Sequence, residues 1–400
     1  MIRIRLTTEE QDMLDGKYGK AAKKSMEILT TLGKIFDAED MVDVYGVQIA
    51  GVSYDNLGEA GLEFLNEMAE DGKVRVLTTL NPAGMDRENW QALGIDEKFA
   101  INQNRAIDAF AKMGIITTCS CTPYLIGNTP HYGQHLAWAE SSAVCYCNSV
   151  IGARTNREGG PSALASAITG KTPNYGYHLD KNRHGEVLVK VNALVKGTDE
   201  FGVLGKIIGD KLVELGKKIP YITGISDATV EELKSFCASI ATYGGNALFH
   251  MDGITPEYDR YPKPSNISLE INQEVLDKTR MELIDDDLEI DFISIGCPHA
   301  SIHEIEKISN LLKGKKVKKE FWITTARPTK RIADEVGYSK IIEDAGVKFA
   351  ADTCCVVAPI KGRFKGIMVD SAKACYYGRA KNKFKVKIGS IKECVEEAVK

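Results

Sequence analysis

The chain has 400 residues, 44% of them hydrophobic and 26% charged, with a formal net charge of −4 and a pI of about 6.1. That is enough apolar material for a packed core of more than one lobe, and the mild acidic balance without a dominant basic stretch argues against a nucleic-acid partner. There is no run of 18 apolar residues to cross a membrane, and the start, Met1-Ile2-Arg3-Ile4-Arg5-Leu6, lacks the apolar stretch of a signal peptide, so a cytoplasmic protein is expected.

Thr7-Thr8-Glu9-Glu10 has capping-box spacing and should start a helix. Strands are expected at Val42–Val47 and at Val74–Thr78, with a helical period between them over Gly61–Met68. Gly114–Thr117 reads as a further buried strand. From Pro130 to Gly170 the pattern is mixed and turn-rich. Glu186–Val191 and Ile219–Thr223 are strands, Thr229 and Glu232 cap a helix through Ile240, and Asn246–His250 is a strand. Asp291–Ile295 is another, followed by a helix capped by Ser301 and Glu304. Phe321–Thr325, a helix near Ile332–Val336, the run Val347–Ala351 and the last clear strand, Gly366–Val369, continue the alternation. Strands and helices alternating at this spacing predict an α/β protein of parallel sheets covered by helices. Lys313–Lys319 is the one charge run and reads as a solvated turn.

Ten cysteines in a cytoplasmic chain are expected as thiols, for metal binding or catalysis more than for disulfides. Three segments matter most: Thr118-Cys119-Ser120-Cys121-Thr122-Pro123-Tyr124, Gly296-Cys297-Pro298-His299 and Asp352-Thr353-Cys354-Cys355. Each follows an apolar run, and ligands of α/β sheets bind beyond the carboxyl ends of strands, so the three segments can converge. Thiolate ligation suits an iron–sulfur cluster or zinc, although no CxxC pair is present. Cys121, Cys297 and Cys354 are the chosen ligands. Cys119 and Cys355 stand beside them as alternative ligands, a redox pair or packing. Cys145, Cys147, Cys237 and Cys394 read as structural, since free cysteine is often a small buried hydrophobe.

Glu140-Ser141-Ser142 and Arg154-Thr155-Asn156-Arg157 are dense polar stretches beside apolar sequence, suited either to turns or to gripping a carboxylate or phosphate. Asp370-Ser371-Ala372-Lys373 and Asn81 in Thr79-Leu80-Asn81-Pro82 follow strands, where Ser371 and Lys373 can hold an anion or Ser371 can simply cap a helix. Gly159-Gly160 and Gly244-Gly245 make neither a GxGxxG nor a P-loop pattern, so no nucleotide cofactor is indicated.

The segments Ala50-Gly51-Val52-Ser53-Tyr54, Thr79–Pro82, Cys121–Tyr124, Ala137–Val144, Asn148–Asn156, Gly253-Ile254-Thr255-Pro256-Glu257, Gly296–His299, Asp352–Cys354 and Asp370–Lys373, in this order, resemble the aconitase X family from about residue 1 to 390. The resemblance implies an aconitase-like, multi-lobed α/β fold, with lobes roughly 1–205 and 206–400 and the active site between them. It implies a hydro-lyase in which Cys121, Cys297 and Cys354 hold a [4Fe–4S] cluster with one open iron. It also implies that this chain is the large subunit of a heterodimer, completed by a separate small swivel subunit that supplies the catalytic serine. Two activities dominate the family: dehydration of (R)-5-phosphomevalonate to trans-anhydromevalonate 5-phosphate in an archaeal modified mevalonate (isoprenoid) pathway, and dehydration of cis-3-hydroxy-L-proline. The first is expected here, because a separate large subunit of this length resembles the archaeal form. Gln48, where bacterial relatives often carry histidine, points the same way. Glu140, Ser371 and Lys373 are the expected catalytic groups; Gly51, Val52, Ser53, Asn81, Ser141, Ser142, Arg154, Asn156 and Arg157 are the expected substrate contacts. Arg379 is a further phosphate candidate by its chemistry. The competing readings are a non-catalytic iron–sulfur redox protein and a scaffold subunit with a structural metal.

Overall fold

A computed structural model describes residues 4–400; Met1, Ile2 and Arg3, and with them the first half of the N-terminal stretch, lie outside the described residues. Strand β1 (Met41–Asp43) pairs antiparallel with β5 (Lys171–Pro173) in a small ribbon. Strands β2 (Gly46–Ile49), β3 (Leu77–Leu80) and β4 (Leu136–Trp138) form a parallel sheet ordered β3-β2-β4. Strands β6 (Val187–Val191), β7 (Pro220–Thr223), β8 (His250–Met251) and β9 (Ser268–Ile271) form a second parallel sheet ordered β8-β7-β6-β9. Strands β10 (Phe292–Ala300), β11 (Glu320–Thr325), β12 (Lys348–Ala351), β13 (Gly366–Val369) and β14 (Lys385–Ile388) form the third, ordered β12-β11-β10-β13-β14 and also parallel. Helices cover these sheets, as the alternation predicts.

Local signals account for much of this. The capping boxes at Thr7/Glu10, Thr229/Glu232 and Ser301/Glu304 all form, each starting its helix where the sequence places it. Two expected strands come out differently. Val42–Val47 is divided between β1 and β2, because at Val44 the backbone turns to bond Gly170 and at Tyr45 to bond His135. Gly114–Thr117 makes only a single bridge, Ile116 to Thr79, and Ile116 is 50% exposed. Asn246–His250 shortens to the two-residue β8, and β14 extends the third sheet beyond Val369.

The largest apolar core gathers side chains from Met85 to Ile388, so the middle of the molecule is shared by all three parallel sheets. Residue 205, near which the chain was expected to divide, lies inside helix Thr198–Leu215. Glycine at 205 lets that helix touch helix Val230–Tyr243 through its backbone: a Cβ there would stand 2.8 Å from Ser239 Cβ and 2.9 Å from the Phe236 carbonyl. At Gly202 a Cβ would lie 3.3 Å from the Ala372 nitrogen, so the same helix is pressed against the segment carrying Ser371 and Lys373. Among the described residues no helix is long and apolar enough to cross a membrane.

Candidate active site

The carboxyl ends of two parallel sheets meet here, and their residues are the polar ones. Asn81 follows β3, Glu140 follows β4, Cys297 sits late in β10, Cys354 follows β12, and Ser371 and Lys373 follow β13. Cys121 lies in the loop after the Ile116 bridge, drawn to the first sheet by a bond from the Ser120 N–H to the Leu80 carbonyl at 2.9 Å. The sheets are stitched across by the Ala83 N–H on the Asp352 carbonyl at 2.9 Å and by Arg327, which joins Asp86 to Asp352. Strand-end placement is what the parallel topology dictates for a binding site.

Cys121 and Cys354 are buried and Cys297 is half-buried. Burial pushes the Cys121 thiol up to about 12, with the charges of Glu140 and Cys354 adding, while Lys373 and the His299 N–H pull the other way. Cys297 is raised by burial and by the neighbouring thiols of Cys355, Cys354 and Cys121, with Lys373 opposing. Cys354 is raised by burial against backbone N–H donation from Val357 and Val356. The three thiols therefore lie within one another's electrostatic reach, beside one ammonium and under backbone donors. Left to themselves they hold their protons at neutral pH; a metal that binds them must displace those protons, and donors to sulfur and a nearby cation favour that thiolate form. All ten cysteines are free. Among the described residues no group of three His, Cys, Asp or Glu side chains is arranged to hold a metal ion. Thiols gathered beside a cation and under backbone N–H donors are nonetheless the donor chemistry that suits an iron–sulfur cluster.

Cys119 belongs elsewhere. It is fully buried, and the charges acting on it are those of Asp352, Arg87 and Arg327, not the other thiols. Cys355 is buried and pushed up to about 12 by burial and by Cys354, against a hydrogen bond with Ser294, and its charge also reaches Cys297. Cys145, Cys147, Cys237 and Cys394 are fully buried in helical segments, as packing residues are.

Next to the thiols a buried ion pair forms. Lys373 Nζ donates to Glu140 Oε1 at 2.6 Å, the Ser142 hydroxyl to the same oxygen at 3.0 Å, and Asn81 Nδ2 to Glu140 Oε2 at 2.8 Å. Burial alone would favour the neutral acid, but Lys373, Asn81 and Ser142 together hold Glu140 down at about 2. Lys373 loses solvation, yet Glu140 and the thiols of Cys297 and Cys121 raise it, so it stays charged. Asn81 Oδ1 is buried and has no partner. Ser371 caps helix Ala372–Tyr377 by accepting the Ala374 N–H at 3.3 Å, the bland option for this residue, and Ser141 opens helix Ser141–Tyr146.

The remaining expected contacts scatter. Val52 and Ser53 are buried, and Gln103 Nε2 holds the Val52 carbonyl at 2.9 Å. The Ser53 hydroxyl reaches the Val357 carbonyl at 3.4 Å, in the turn after Cys354. Gly51, with φ +80°, borders an apolar cavity of about 490 Å³ between helices Tyr54–Met68 and Gly160–Thr169. Arg154, Asn156 and Arg157 are not brought to the thiols. Arg154 is taken by the His178 carbonyl at 3.0 Å and by Asp180, Asn156 by the Tyr175 carbonyl and the Tyr177 N–H, and Arg157 by the Gly245 carbonyl at 3.0 Å. Arg379 is likewise spoken for by Asp285 at 2.8 Å and the Glu282 carbonyl.

The structure also recruits residues that sequence reasoning left without a role. His299 donates its backbone N–H to Cys121 Sγ at 3.2 Å, and its buried ring lies between Ser120 Oγ at 3.1 Å and the Thr353 carbonyl at 3.0 Å. Burial keeps that imidazole neutral, down at about 4. Gln48 Nε2 holds the Ser120 carbonyl at 2.6 Å. Lys234 donates to the His299 carbonyl at 2.8 Å and pairs with Glu304. The adjacent Asp370 is raised to about 7 by burial and by Glu304, against Lys234 and Thr198. The signal for His299 was its place in a cysteine segment at a strand end; nothing in the sequence singles out Lys234.

Comparison with known proteins gives a consistent result. Family profiles match three successive stretches: aconitase X first domain over residues 3–181, second domain over 185–284 and third domain over 290–400. The phosphomevalonate dehydratase large subunit of Methanocaldococcus jannaschii is 45% identical over 98% of this chain and 99% of its own. The cis-3-hydroxy-L-proline dehydratase of Hypocrea jecorina is 31% identical over 99% of this chain but 69% of its own. The crystal structure of Thermococcus kodakaraensis aconitase X (holo-form) superposes with a TM-score of 0.92 at 43% identity, covering 99% of this chain and 100% of that one.

Proposed function

The chain belongs to the aconitase X family, and from that premise we propose that it is the large subunit of an iron–sulfur hydro-lyase that dehydrates (R)-5-phosphomevalonate to trans-anhydromevalonate 5-phosphate. The observation that carries the reading is the meeting of Cys121, Cys297 and Cys354 beside the buried Lys373–Glu140–Asn81 group at the strand ends. The choice of substrate is supported by the higher identity and near-complete mutual coverage of the archaeal relative, set against the lower identity and longer chain of the hydroxyproline enzyme.

Cys121, Cys297 and Cys354 would hold a [4Fe–4S] cluster, and its open iron would supply Lewis-acid polarisation of the substrate's tertiary hydroxyl. The other work falls to side chains. Removing the C2 proton puts negative charge on the neighbouring carboxylate. Lys373 spends one N–H on Glu140 and has the rest for that charge, where a fixed donor in a water-poor site lowers the barrier. The Ser371 hydroxyl accepts the Ala374 N–H and is free to donate to the same carboxylate. Asn81 Oδ1, buried and unpartnered, is placed to accept a substrate hydroxyl. Glu140 is held ionised, so it orients Lys373 and Asn81 and does not donate a proton. The large-subunit name of the relative supports a separate small subunit, and to a serine of that subunit we assign the base that takes the C2 proton. Ser142 belongs to this group through Glu140 and Ser53 reaches the turn after Cys354, whereas Arg154, Asn156 and Arg157 hold the scaffold.

The test is anaerobic co-purification with the small subunit, iron and sulfide analysis, and parallel assays on (R)-5-phosphomevalonate and cis-3-hydroxy-L-proline. Turnover of the phosphorylated substrate alone supports the proposal. Turnover of hydroxyproline alone would replace the substrate, and full activity without iron would remove the cluster from the mechanism.

A further inference from the structure

Two loops and the irregular end of strand β10, where the register shifts between Ile295 and Ala300, must each deliver one sulfur to a common point, and loops are the part of a fold least able to fix such spacing by themselves. One buried side chain touches all three. We propose that His299, at the end of β10, is a positioning residue that sets the mutual spacing of the Cys121, Cys297 and Cys354 segments, bridging the Ser120 hydroxyl to the Thr353 carbonyl with its ring while its backbone N–H holds the Cys121 sulfur. The inference rests on the cluster reading above and assigns a role that reading does not use.

The chemistry of the partners fixes how the ring is used. A carbonyl oxygen can only accept, so Nε2 carries the hydrogen and donates to Thr353. Nδ1 is then a bare lone pair and takes the hydrogen of the Ser120 hydroxyl. That hydroxyl in turn accepts the Thr122 N–H at 3.2 Å, so no polar atom of the bridge is idle. Each contact falls within two residues of a thiol: Ser120 precedes Cys121, Thr353 precedes Cys354, and His299 itself follows Cys297 by two. The far side is anchored as well, since Lys234, from the helix Val230–Tyr243, donates to the His299 carbonyl at 2.8 Å. A histidine present only to fill the core would need none of these links. Each is directional, and together they leave the three segments one relative arrangement.

The experiment uses the anaerobically reconstituted two-subunit enzyme with His299→Gln, His299→Ala and Ser120→Ala. Gln keeps an N–H for Thr353 and gives up the Ser120 link; Ser120→Ala removes that link from the other end. Iron and acid-labile sulfide per chain, the rate of iron release to a chelator, and the electron paramagnetic resonance signal of the reduced centre are read, with thermal melting of the cluster-free chain as the control for folding. The expected result is iron release several-fold faster in His299→Gln and Ser120→Ala and more than tenfold faster in His299→Ala, with a changed resonance signal. The cluster-free His299→Gln and Ser120→Ala chains should melt within a few degrees of wild type. Should His299→Ala fail to fold, the other two carry the test. Wild-type release rates and an unchanged signal in both would overturn this inference while leaving the cluster in place. A wild-type complex that takes up no iron would overturn the cluster reading and this inference with it.

Discussion

Two of the buried charge clusters in this molecule are built to opposite ends. In the first, Arg183 is fully buried, and its guanidinium is saturated by Glu257 at 2.6 and 2.9 Å, Asn148 at 2.9 and 3.2 Å, Tyr177 at 3.1 Å and Ala153 at 3.3 Å. Arg154 stands by at 3.9 Å from the other Glu257 oxygen. The guanidinium has nothing left over for a ligand, although Glu257 Oε1 is buried without a hydrogen-bond partner, with the Arg154 charge near it. In the second, Lys373 gives one bond to Glu140, Asn81 leaves an oxygen without a partner, and the neighbouring thiols hold protons that burial makes hard to lose. Buried charge alone therefore does not mark a site, nor does one unpartnered oxygen; spare donors and acceptors gathered beside thiols at strand ends do.

The sharpest way to break the comparison is to empty each cluster in turn. Cys121→Ser, Cys297→Ser or Cys354→Ser should abolish the cluster's absorption and bring turnover to background, while the cluster-free chain melts as wild type does. A serine variant that retains a full iron complement would strike that thiol from the ligand set. Glu257→Leu should do the reverse. It leaves Arg183 charged, buried and unpaired, at a cost of roughly 3–5 kcal/mol of stability measured by denaturant unfolding. A variant as stable as wild type would show that Asn148 and the carbonyls suffice for Arg183.

Within the active cluster the effects should grade by what each group has left to offer. Lys373→Met should retain iron and lower kcat/KM by about 10²–10³-fold, the size expected for losing a fixed donor to developing charge. An unchanged kcat/KM would make Lys373 only a partner of Glu140. Asn81→Ala should cost less, about tenfold, because one hydrogen bond near a charged group is worth about 1–3 kcal/mol. An Asn81→Ala enzyme with wild-type kinetics would mean that the idle oxygen faces no substrate.

How much of this could be read from the chain follows the range of the interactions. Capping boxes such as Ser301/Glu304 lie within four residues, so the sequence displays them whole. The apolar run of β10 and the cysteine after it were legible for the same reason. The edge strand β14, Lys385-Val386-Lys387-Ile388, was passed over because its lysines interrupt the apolar run, although alternation of that kind suits a strand with one wet face. Gly114–Thr117 looked buried but turns Ile116 outward. Arg154 and Arg157 looked free because their partners, Asp180 and the Gly245 carbonyl, come later in the chain and carry no sign of the pairing. His299 and Lys234 are hidden in the same way: their partners are 54 to 179 residues away for the ring and 65 to 70 for the ammonium.

The finest test of the contrast is pH. Glu140 sits at about 2 in the folded chain against an ordinary value of 4.5, because Lys373, Asn81 and Ser142 favour the carboxylate more than burial opposes it. A carboxyl depressed in the folded state stabilises that state in full above its ordinary value, and the contribution is lost as pH falls through the folded value. For this group the window runs from about 4.5 down to about 2. The cluster-free chain and its Glu140→Gln variant should therefore differ in unfolding free energy by a constant amount above about pH 5, and the gap should close steadily through that window. A gap that stays flat to pH 2 would mean that Glu140 titrates as an ordinary carboxyl. The Lys373 ammonium would then be free to swing away from it, and the fixed donor on which the proposed chemistry depends would be lost.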